Sequence, residues 1–281
     1  MFEYKFLTKT SNESLHKVFL DAFSDYQVKI DLPIWKFILM LKRRGYVPDL
    51  SIGAFKGEML VGFVLNGFRS WNGKPTVYDL GTGVIAEYRK QGITNNMLLN
   101  IKELIKQRQI EQYLLEVIKS NTSAIQLYKK QGFEIQREFT CFQLDKNKYN
   151  PITTCKVEHV NKMDWEQLTE FWDIKPSWQN SIDSINAVAE DLIYSIVRFD
   201  SAIVGYGIID RRTGDIPQIA TNRYYRGKGI ARCIITDLIK NTDSNKISVL
   251  NVDNISKSTE DFLLKLGFER IVAQYEMILK I

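Results

Sequence analysis

The chain of 281 residues is longer than a typical domain, so we expect it to fold as two domains of similar size. Its 44% hydrophobic and 25% charged residues are ordinary for a globular protein, and it has neither an apolar run that could cross a bilayer nor the core of a signal peptide. The first half carries the whole net charge of +5, which suits an anionic ligand. The basic residues are too weakly clustered for a nucleic-acid binder. We expect a cytoplasmic protein without a nucleic-acid or membrane partner.

Hydrophobic periodicity in the first half predicts strands and helices that alternate late in the module. The predicted helices are 14–23, 34–44, 93–107 and 122–131, and the predicted strands are 51–56, 59–68, 76–85, 112–118 and 133–144. This order indicates a mixed α/β module.

The polar segment DKNKYNPITT at 145–154 contains Pro151 and has no apolar period, which predicts a linker. We therefore expect a first module at 1–145, a linker at 146–154 and a second module at 155–281. In the second module the predicted helices are 164–172, 183–192, 229–240 and 257–266, and the predicted strands are 155–160, 193–199, 202–209, 215–221, 247–252 and 268–280.

The two modules carry an internal repeat. YRKQGIT (88–94) pairs with YRGKGIA (225–231), and KKQGFE (129–134) pairs with LKLGFE (264–269). Between these anchors the two copies differ in length by only two residues. The matched order and spacing indicate a duplication.

The cysteines do not predict a metal site. Cys141, Cys155 and Cys233 lack metal-ligand spacing, and the chain has only two histidines. We expect reduced thiols and no metal.

Each copy places a basic, glycine-containing turn between a strand and a helix. Such a turn can aim unpaired backbone N–H groups at a phosphate, and the helix dipole adds to the attraction. An ordinary strand-to-helix turn has the same composition, so the pattern alone is weakly specific.

The order of motifs resembles the GNAT acetyltransferase superfamily, whose signature is Arg/Gln-x-x-Gly-x-Gly/Ala after an apolar strand, then a strand, an Asn-led helix and Gly-Phe. The matching segments are GTGVIAEYRKQGIT, LLEVIKSNTSAIQLYKKQGFE, PQIATNRYYRGKGIA and LNVDNISKSTEDFLLKLGFE. The resemblance implies two consecutive GNAT-like modules, each a central, mostly antiparallel sheet flanked by helices. The first third of each module matches only loosely.

The resemblance also implies an acetyl-CoA site in which the central strands separate after Val84 and the pantetheine arm enters the gap. The cofactor-binding residues that it implies are Val84, Ile85, Arg89, Gln91, Gly92, Ile93, Thr94 and Asn121 in the first module, and Arg226, Lys228, Gly229, Ile230 and Ala231 in the second. Thr94 departs from the Gly or Ala of the family, and we expect this to weaken binding. Asn121 also suits a helix N-cap on its own chemistry.

Tyr128 lies on the same predicted helix face as Ala124 and Leu127, so core packing is one explanation for it. GNAT enzymes often carry a tyrosine at this point, where its hydroxyl can protonate the departing CoA thiolate. In the second copy Leu263 stands opposite Tyr128 and Ser256 opposite Asn121. Serine can still cap the helix, whereas leucine cannot donate a proton.

Asp79 and Glu116 are the candidates for the base that takes a proton from the amine, although for each residue taken alone the sequence favours a surface salt bridge. A backbone N–H near Val84 or Ile85 is expected to meet the oxyanion. The acceptor pocket has only loose candidates, namely Phe23, Asp25, Tyr26, Asp31 and Trp35.

The leading hypothesis is an N-acetyltransferase in which a primary amine attacks acetyl-CoA directly in the first module. Chemistry in the second module is one alternative, and a non-enzymatic regulator that binds acyl-CoA is another. The acceptor, whether aminoglycoside, polyamine, amino acid or protein N-terminus, stays open.

Overall fold

The computed structural model describes residues 1–25, 31–152 and 154–281. These residues form two compact units. Unit 1 contains Met1–Val117, Asn121–Gln136 and Glu276–Ile281, and unit 2 contains Ile118–Ser120 and Arg137–Tyr275.

The elements of unit 1 follow the predicted order closely. In chain order they are β1 (Glu3–Phe6), α1 (Asn12–Ala22), α2 (Ile34–Arg44), β2 (Ile52–Lys56), β3 (Met59–Trp71), β4 (Lys74–Val84), α3 (Ile93–Gln107), β5 (Gln112–Ile118) and α4 (Thr122–Lys130). The short strand β1 was not predicted. The sheet order begins β1-β2-β3-β4-β5, with antiparallel neighbours except for the parallel pair of β4 and β5.

A β-bulge in β4 sets which side chains share a face of the sheet. Leu65 pairs with Gly81 and the next residue, Asn66, pairs with Asp79, so Leu80 is the extra residue. The bulge reverses the alternation of side chains along β4. Asp79 therefore lies on the same face as Thr82, although they are three residues apart.

Helices cover both faces of this sheet. On one face, a Cβ added at Gly81 would lie 3.1 Å from the ring of Phe19 in α1. On the other face, Val84 lies beside Gly62, whose added Cβ would be 3.5 Å from Ile93 at the start of α3. The buried residues of α3, Ile93, Met97, Leu98, Ile101 and Ile105, form the apolar stripe that the periodicity predicted.

The remaining elements belong to the second half of the chain, together with the strand that precedes it. They are β6 (Glu134–Asp145), β7 (Glu158–Val160), α5 (Trp165–Leu168), α6 (Ile182–Asn186), β8 (Leu192–Phe199), β9 (Ala202–Asp210), β10 (Gln218–Thr221), α7 (Ile230–Asn241), β11 (Lys246–Asp253), α8 (Lys257–Lys265) and β12 (Glu269–Lys280). Strands β10-β9-β8-β7 form an antiparallel sheet, and β6 pairs with β11 in the same unit.

The compact units differ from the contiguous ranges 1–145 and 155–281. Strand β12 is divided, because Glu276–Ile281 belongs to unit 1, where it follows β5 in the sheet order, and the preceding residues belong to unit 2. Residues Arg137–Asp145 of β6 belong to unit 2. Strand pairing, which local sequence patterns do not encode, decides this division.

The helix predicted over 183–192 is shorter in the structure. It ends at Asn186, and Val188 leaves the helical region with φ −130° and ψ 27° while its side chain is buried. The strand predicted over 215–221 begins only at Gln218. Burial of Val188 overrides the helical periodicity at the first of these places.

The segment predicted to be a linker packs against α7. Tyr149 is buried in the core of unit 2, and its hydroxyl lies 2.8 Å from Thr236 Oγ1. The expectation of reduced thiols is wrong for Cys155 and Cys233, which form a disulfide in the structure, whereas Cys141 is buried and lies outside the disulfide. Their pairing joins positions far apart in the sequence, so spacing could not reveal it.

Candidate active site

The turn between β4 and α3 in unit 1 has the geometry of an anion-binding helix N-terminus. Gly92 is the N-cap with φ +75°, and Lys90 is also left-handed with φ +61°. An added Cβ at Gly92 would meet no atom within 4 Å, so this backbone is open to approach. The first N–H groups of α3, including those of Ile93 and Thr94, have no partner within the helix. Ile93 is buried, Thr94 is partly buried and Gln91 is exposed.

Arg89 holds this turn in place. Its Nε donates to the carbonyl of Val84 at 3.0 Å, and its guanidinium donates to the carbonyl of Ala22 at 2.8 Å. The same guanidinium forms a bidentate pair with Asp25 at 2.6 and 2.7 Å. These hydrogen bonds lower the pKa of Asp25. The side chain of Arg89 is thus committed to fixing the end of β4 against the end of α1.

Strands β4 and β5 separate earlier than expected. Their parallel pairing ends at Asp79 and Leu115, not after Val84, because the bulge at Leu80 redirects β4. Ile85 donates its N–H to the carbonyl of Val61 at 2.9 Å, so this donor is committed within the sheet. By the alternation of an antiparallel ladder, the N–H of Val84 points away from β3 and toward the gap.

The structure brings Asp79 and Tyr128 together. Asp79 Oδ1 accepts from the N–H of Gly81 at 2.8 Å, and Oδ2 accepts from Thr82 Oγ1 at 2.6 Å. The hydroxyl of Tyr128 lies 3.5 Å from Oδ2 of Asp79. Burial raises the pKa of Asp79 to about 6, and the hydrogen bonds from Thr82 and Gly81 act in the opposite direction. Both side chains are buried, at 7% and 8% exposure.

Glu116 lies on the opposite face of the sheet from Asp79. Leu115 pairs with Asp79, and successive side chains of β5 alternate between faces. Glu116 is hydrogen-bonded to the hydroxyl of Tyr78 on its own face, and burial, with the nearby charge of Glu116, raises the pKa of Tyr78. The two candidate bases are therefore not part of one cluster.

Two polar residues near Asp79 were missed from the sequence. Tyr113 is fully buried and donates from its hydroxyl to Asn66 Oδ1 at 2.8 Å, and Asn66 Nδ2 donates to the carbonyl of Leu50. Burial and the charge of Asp79 raise the pKa of Tyr113. The asparagine within the otherwise apolar run of β3 was the sequence feature that could have indicated a buried polar site.

The helix-cap role of Asn121 is confirmed. Its side chain accepts from the N–H of Ala124 at 3.2 Å and begins α4. Ser256, at the matching position of unit 2, makes no such bond to the backbone, and its hydroxyl lies 2.8 Å from that of Thr259.

The turn of unit 2 repeats that of unit 1. Gly227 and Gly229 are left-handed, with φ +77° and +80°, at the positions of Lys90 and Gly92. Arg226 donates to the carbonyls of Thr221 and Phe171, and it pairs with Asp173 at 2.8 Å. Of the other expected contact residues, Lys228 lies over the ring of Tyr225, Ile230 is buried and Ala231 is partly buried.

The gap next to β10 in unit 2 is crossed by the chain itself. Asn180 accepts through its carbonyl from the side chain of Gln218 on β10, and its own side chain donates to the carbonyl of Leu250 on β11. One turn earlier, Ser177 Oγ accepts from Asn251 Nδ2 at 3.0 Å. Trp178 between them is fully buried. This segment therefore connects β10 to β11 through side-chain and backbone hydrogen bonds.

The candidate catalytic side chains of unit 1 have no counterpart in unit 2. Counted from the turn glycines, Ile216 takes the place of Asp79. Counted from the Gly-Phe anchors, Asn251 takes the place of Glu116 and Leu263 that of Tyr128. Leu263 is fully buried in the core of unit 2. These replacements remove the carboxylates and the phenol together.

Four of the five loose candidates for an acceptor pocket lie within the described residues. Phe23 packs against Phe19 with ring centroids 4.7 Å apart, and Asp25 pairs with Arg89. Asp31 is exposed and Trp35 is partly buried, whereas Tyr26 lies outside the described residues.

Within residues 1–25, 31–152 and 154–281, no group of three His, Cys, Asp or Glu side chains is placed to hold a metal ion. No helix in that part of the chain has the length and apolar character that crossing a membrane requires.

The sequence profiles of known families match both halves. The Acetyltransferase (GNAT) family matches residues 12–133, and the Acetyltransferase (GNAT) domain matches residues 160–277. The chain belongs to the GNAT acetyltransferases and carries two such domains in tandem. No curated protein sequence matches the chain.

Solved structures share the fold over the whole chain. A GCN5-related N-acetyltransferase from Sphaerobacter thermophilus has a TM-score of 0.76 at 14% identity, with 99% of this chain and 95% of that chain covered. A tandem GNAT protein from the clavulanic acid biosynthesis pathway has a TM-score of 0.74 at 13% identity, with coverage of 100% and 98%. The glucosamine N-acetyltransferase region of a fungal multi-domain β-N-acetylglucosaminidase has a TM-score of 0.75 at 15% identity, covering 99% of this chain and 38% of that chain.

Proposed function

We propose that the chain is an N-acetyltransferase that moves an acetyl group from acetyl-CoA to a primary amine, and that the chemistry takes place in unit 1. The observation that carries this proposal is the pairing of Tyr128 with Asp79 beside the separated strands β4 and β5. The open turn at Gly92 lies at the end of the same strand and suits the pyrophosphate.

The residues of unit 1 suit direct attack by the amine. The amine nitrogen attacks the thioester carbonyl, and the N–H of Val84 is oriented to receive the negative charge that develops on the carbonyl oxygen. Asp79 and Glu116 are the carboxylates that can take the proton from nitrogen. When the C–S bond breaks, Tyr128 gives its proton to sulfur, and CoA leaves as the thiol.

Unit 2 supports this assignment by contrast. It keeps the turn but has Ile216, Asn251 and Leu263 at the positions of the candidate catalytic groups, and Asn180 bridges its strands. We therefore propose that unit 2 stabilises the fold and does not transfer acetyl groups.

The test measures thiol release from acetyl-CoA with a panel of amines: a polyamine, an amino acid, a peptide with a free N-terminus, an aminoglycoside and glucosamine. Glucosamine belongs there because one structure of similar fold carries that activity. Wild type should release thiol with at least one of these amines. Binding of acetyl-CoA without turnover on the whole panel would instead support a non-enzymatic acyl-CoA-binding regulator.

A matched pair of glycine variants tests which unit carries out the chemistry. Gly92→Glu places a carboxylate where the turn receives phosphate and strains a left-handed position, so acetyl-CoA binding and turnover should both fall at least tenfold, equal to about 1.4 kcal/mol of binding free energy. Gly229→Glu makes the same change in unit 2 and should leave turnover within about twofold. Calorimetry gives affinity and stoichiometry for both. The reverse pattern would place the chemistry in unit 2.

A further inference from the structure

The carboxylate of Asp79 is held by its own strand in a fixed direction. Gly81 donates to Oδ1 and Thr82 donates to Oδ2, and the bulge at Leu80 brings both donors to the same side as the carboxylate. The remaining neighbour of Oδ2 is the hydroxyl of Tyr128, at 3.5 Å. Catalytic hydrogen bonds are often this long before substrate binds.

We propose that Asp79 acts through Tyr128 as a positioning and proton-returning residue, and not as the base that takes a proton from the amine. This inference rests on the proposed function of unit 1. Three donors already approach the two oxygens of Asp79, which leaves little capacity for an ammonium group. Glu116, the other candidate base, lies on the other face of the sheet from this pair.

In this arrangement each proton that is given up is replaced. As the C–S bond breaks, Tyr128 transfers its proton to sulfur and becomes a phenolate. Asp79 in its protonated form then gives a proton to the phenolate and becomes a carboxylate, which water reprotonates. Burial holds the pKa of Asp79 at about 6, so both forms of the carboxyl group are populated near neutral pH.

Other titratable groups also interact electrostatically with Asp79. Arg44 of α2 lowers the pKa of Asp79, and the charge of Asp79 acts on Tyr78 of β4 and on Tyr113 of β5. Tyr113 differs from Tyr128 because its hydroxyl is bonded to Asn66. Tyr113→Phe is therefore a matched control that removes a buried phenol hydroxyl near Asp79 and keeps both members of the pair in place.

An experiment without any acceptor tests the coupling directly. The full chain is labelled at the tyrosine Cζ carbons, and the signals of Tyr128 and Tyr113 are assigned by their loss in Tyr128→Phe and Tyr113→Phe. In wild type the Tyr128 signal should shift as pH passes through the pKa of Asp79. The shift should vanish in Asp79→Asn and persist in Tyr113→Phe. A Tyr128 signal that does not respond to pH in this range would overturn the proposal.

Kinetics with the most active amine of the panel then separate the two roles. Tyr128→Phe should lower kcat by about 10²–10⁴ and Asp79→Asn by about tenfold. The double variant, which carries Asp79→Asn and Tyr128→Phe, should be no slower than Tyr128→Phe alone. The fall of kcat/KM toward acidic pH, which reports the protonation of the base, should persist in Asp79→Asn. If the losses of kcat in the two single variants multiplied in the double variant, and if Asp79→Asn lost the acidic limb of the kcat/KM profile, Asp79 would be the base. Absence of any wild-type turnover would contradict the proposed function, while the labelling result would still decide the coupling.

Discussion

At the scale of single residues, the protonation of Asp79 affects the stability of unit 1. It is almost fully buried, and burial raises its pKa from 3.8 to about 6 in the folded chain. The folded state therefore binds this proton more tightly than the unfolded state does. The stabilisation is complete below about pH 4 and is lost as pH rises through about 6, for a total of about 3 kcal/mol.

The corresponding prediction concerns Asp79→Asn, which removes this titration. In wild type, the unfolding free energy of unit 1 should fall by about 3 kcal/mol as pH rises from acidic to neutral because Asp79 loses its proton. In the variant this contribution to the fall should be absent. Hydrogen exchange of the β4 and β5 amides, corrected for intrinsic rates, measures the difference. Equal pH dependence in both proteins would show that Asp79 titrates normally in the folded state.

At the scale of elements, an arginine fixes the glycine turn that precedes α3 and another fixes the one that precedes α7. Arg89 and Arg226 each bond the carbonyl of the strand end before the turn, a second backbone carbonyl and an aspartate. The sequence repeat showed that these arginines correspond, and the structure shows that they make the same kind of contact. Their shared role is to position the turn.

Arg89→Ala should therefore loosen the turn without removing a phosphate contact of its own. We expect unit 1 to lose about 1–2 kcal/mol of stability, a modest loss because the Arg89 side chain is partly exposed. The KM for acetyl-CoA should rise with little change in kcat. Asp25→Asn, which keeps both carbonyl bonds, should cost less than about 1 kcal/mol. Thermal unfolding and acetyl-CoA titration test both variants, and a kcat effect larger than the KM effect would contradict a positioning role.

At the scale of the whole molecule, a segment distant in sequence completes unit 1. Residues Glu276–Ile281 belong to that unit, where Met277 and Leu279 are buried and the N–H of Ile281 donates to the carbonyl of Glu111. Burying two such side chains contributes about 3–6 kcal/mol, a large share of the stability of a typical domain.

A chain that ends at Tyr275 should accordingly lose the fold of unit 1 and keep that of unit 2. Acetyl-CoA turnover should disappear, and hydrogen exchange should accelerate in β3, β4 and β5 but not in β8 and β9. A fragment of residues 1–145 should fail to fold for the same reason. Normal turnover by either shortened chain would show that the terminal segment is dispensable.

The sequence alone determined the duplication, the order of elements and the two glycine turns. These features depend on local periodicity and on backbone conformations that glycine adopts most easily, and both can be read in a short window. Tyr128 and Asp79 were also identified, but only as separate candidates. Nothing in their spacing of 49 residues indicated that the two side chains meet.

The tertiary structure decided what depends on residues distant in sequence. The bulge at Leu80 turned Asp79 toward Tyr128, and strand pairing assigned the end of β12 to unit 1. Contacts across the chain likewise tied Arg89 to Asp25 and placed Asn180 across the gap of unit 2. Register and side-chain partnership arise from the packing of whole elements, so a linear pattern cannot specify them.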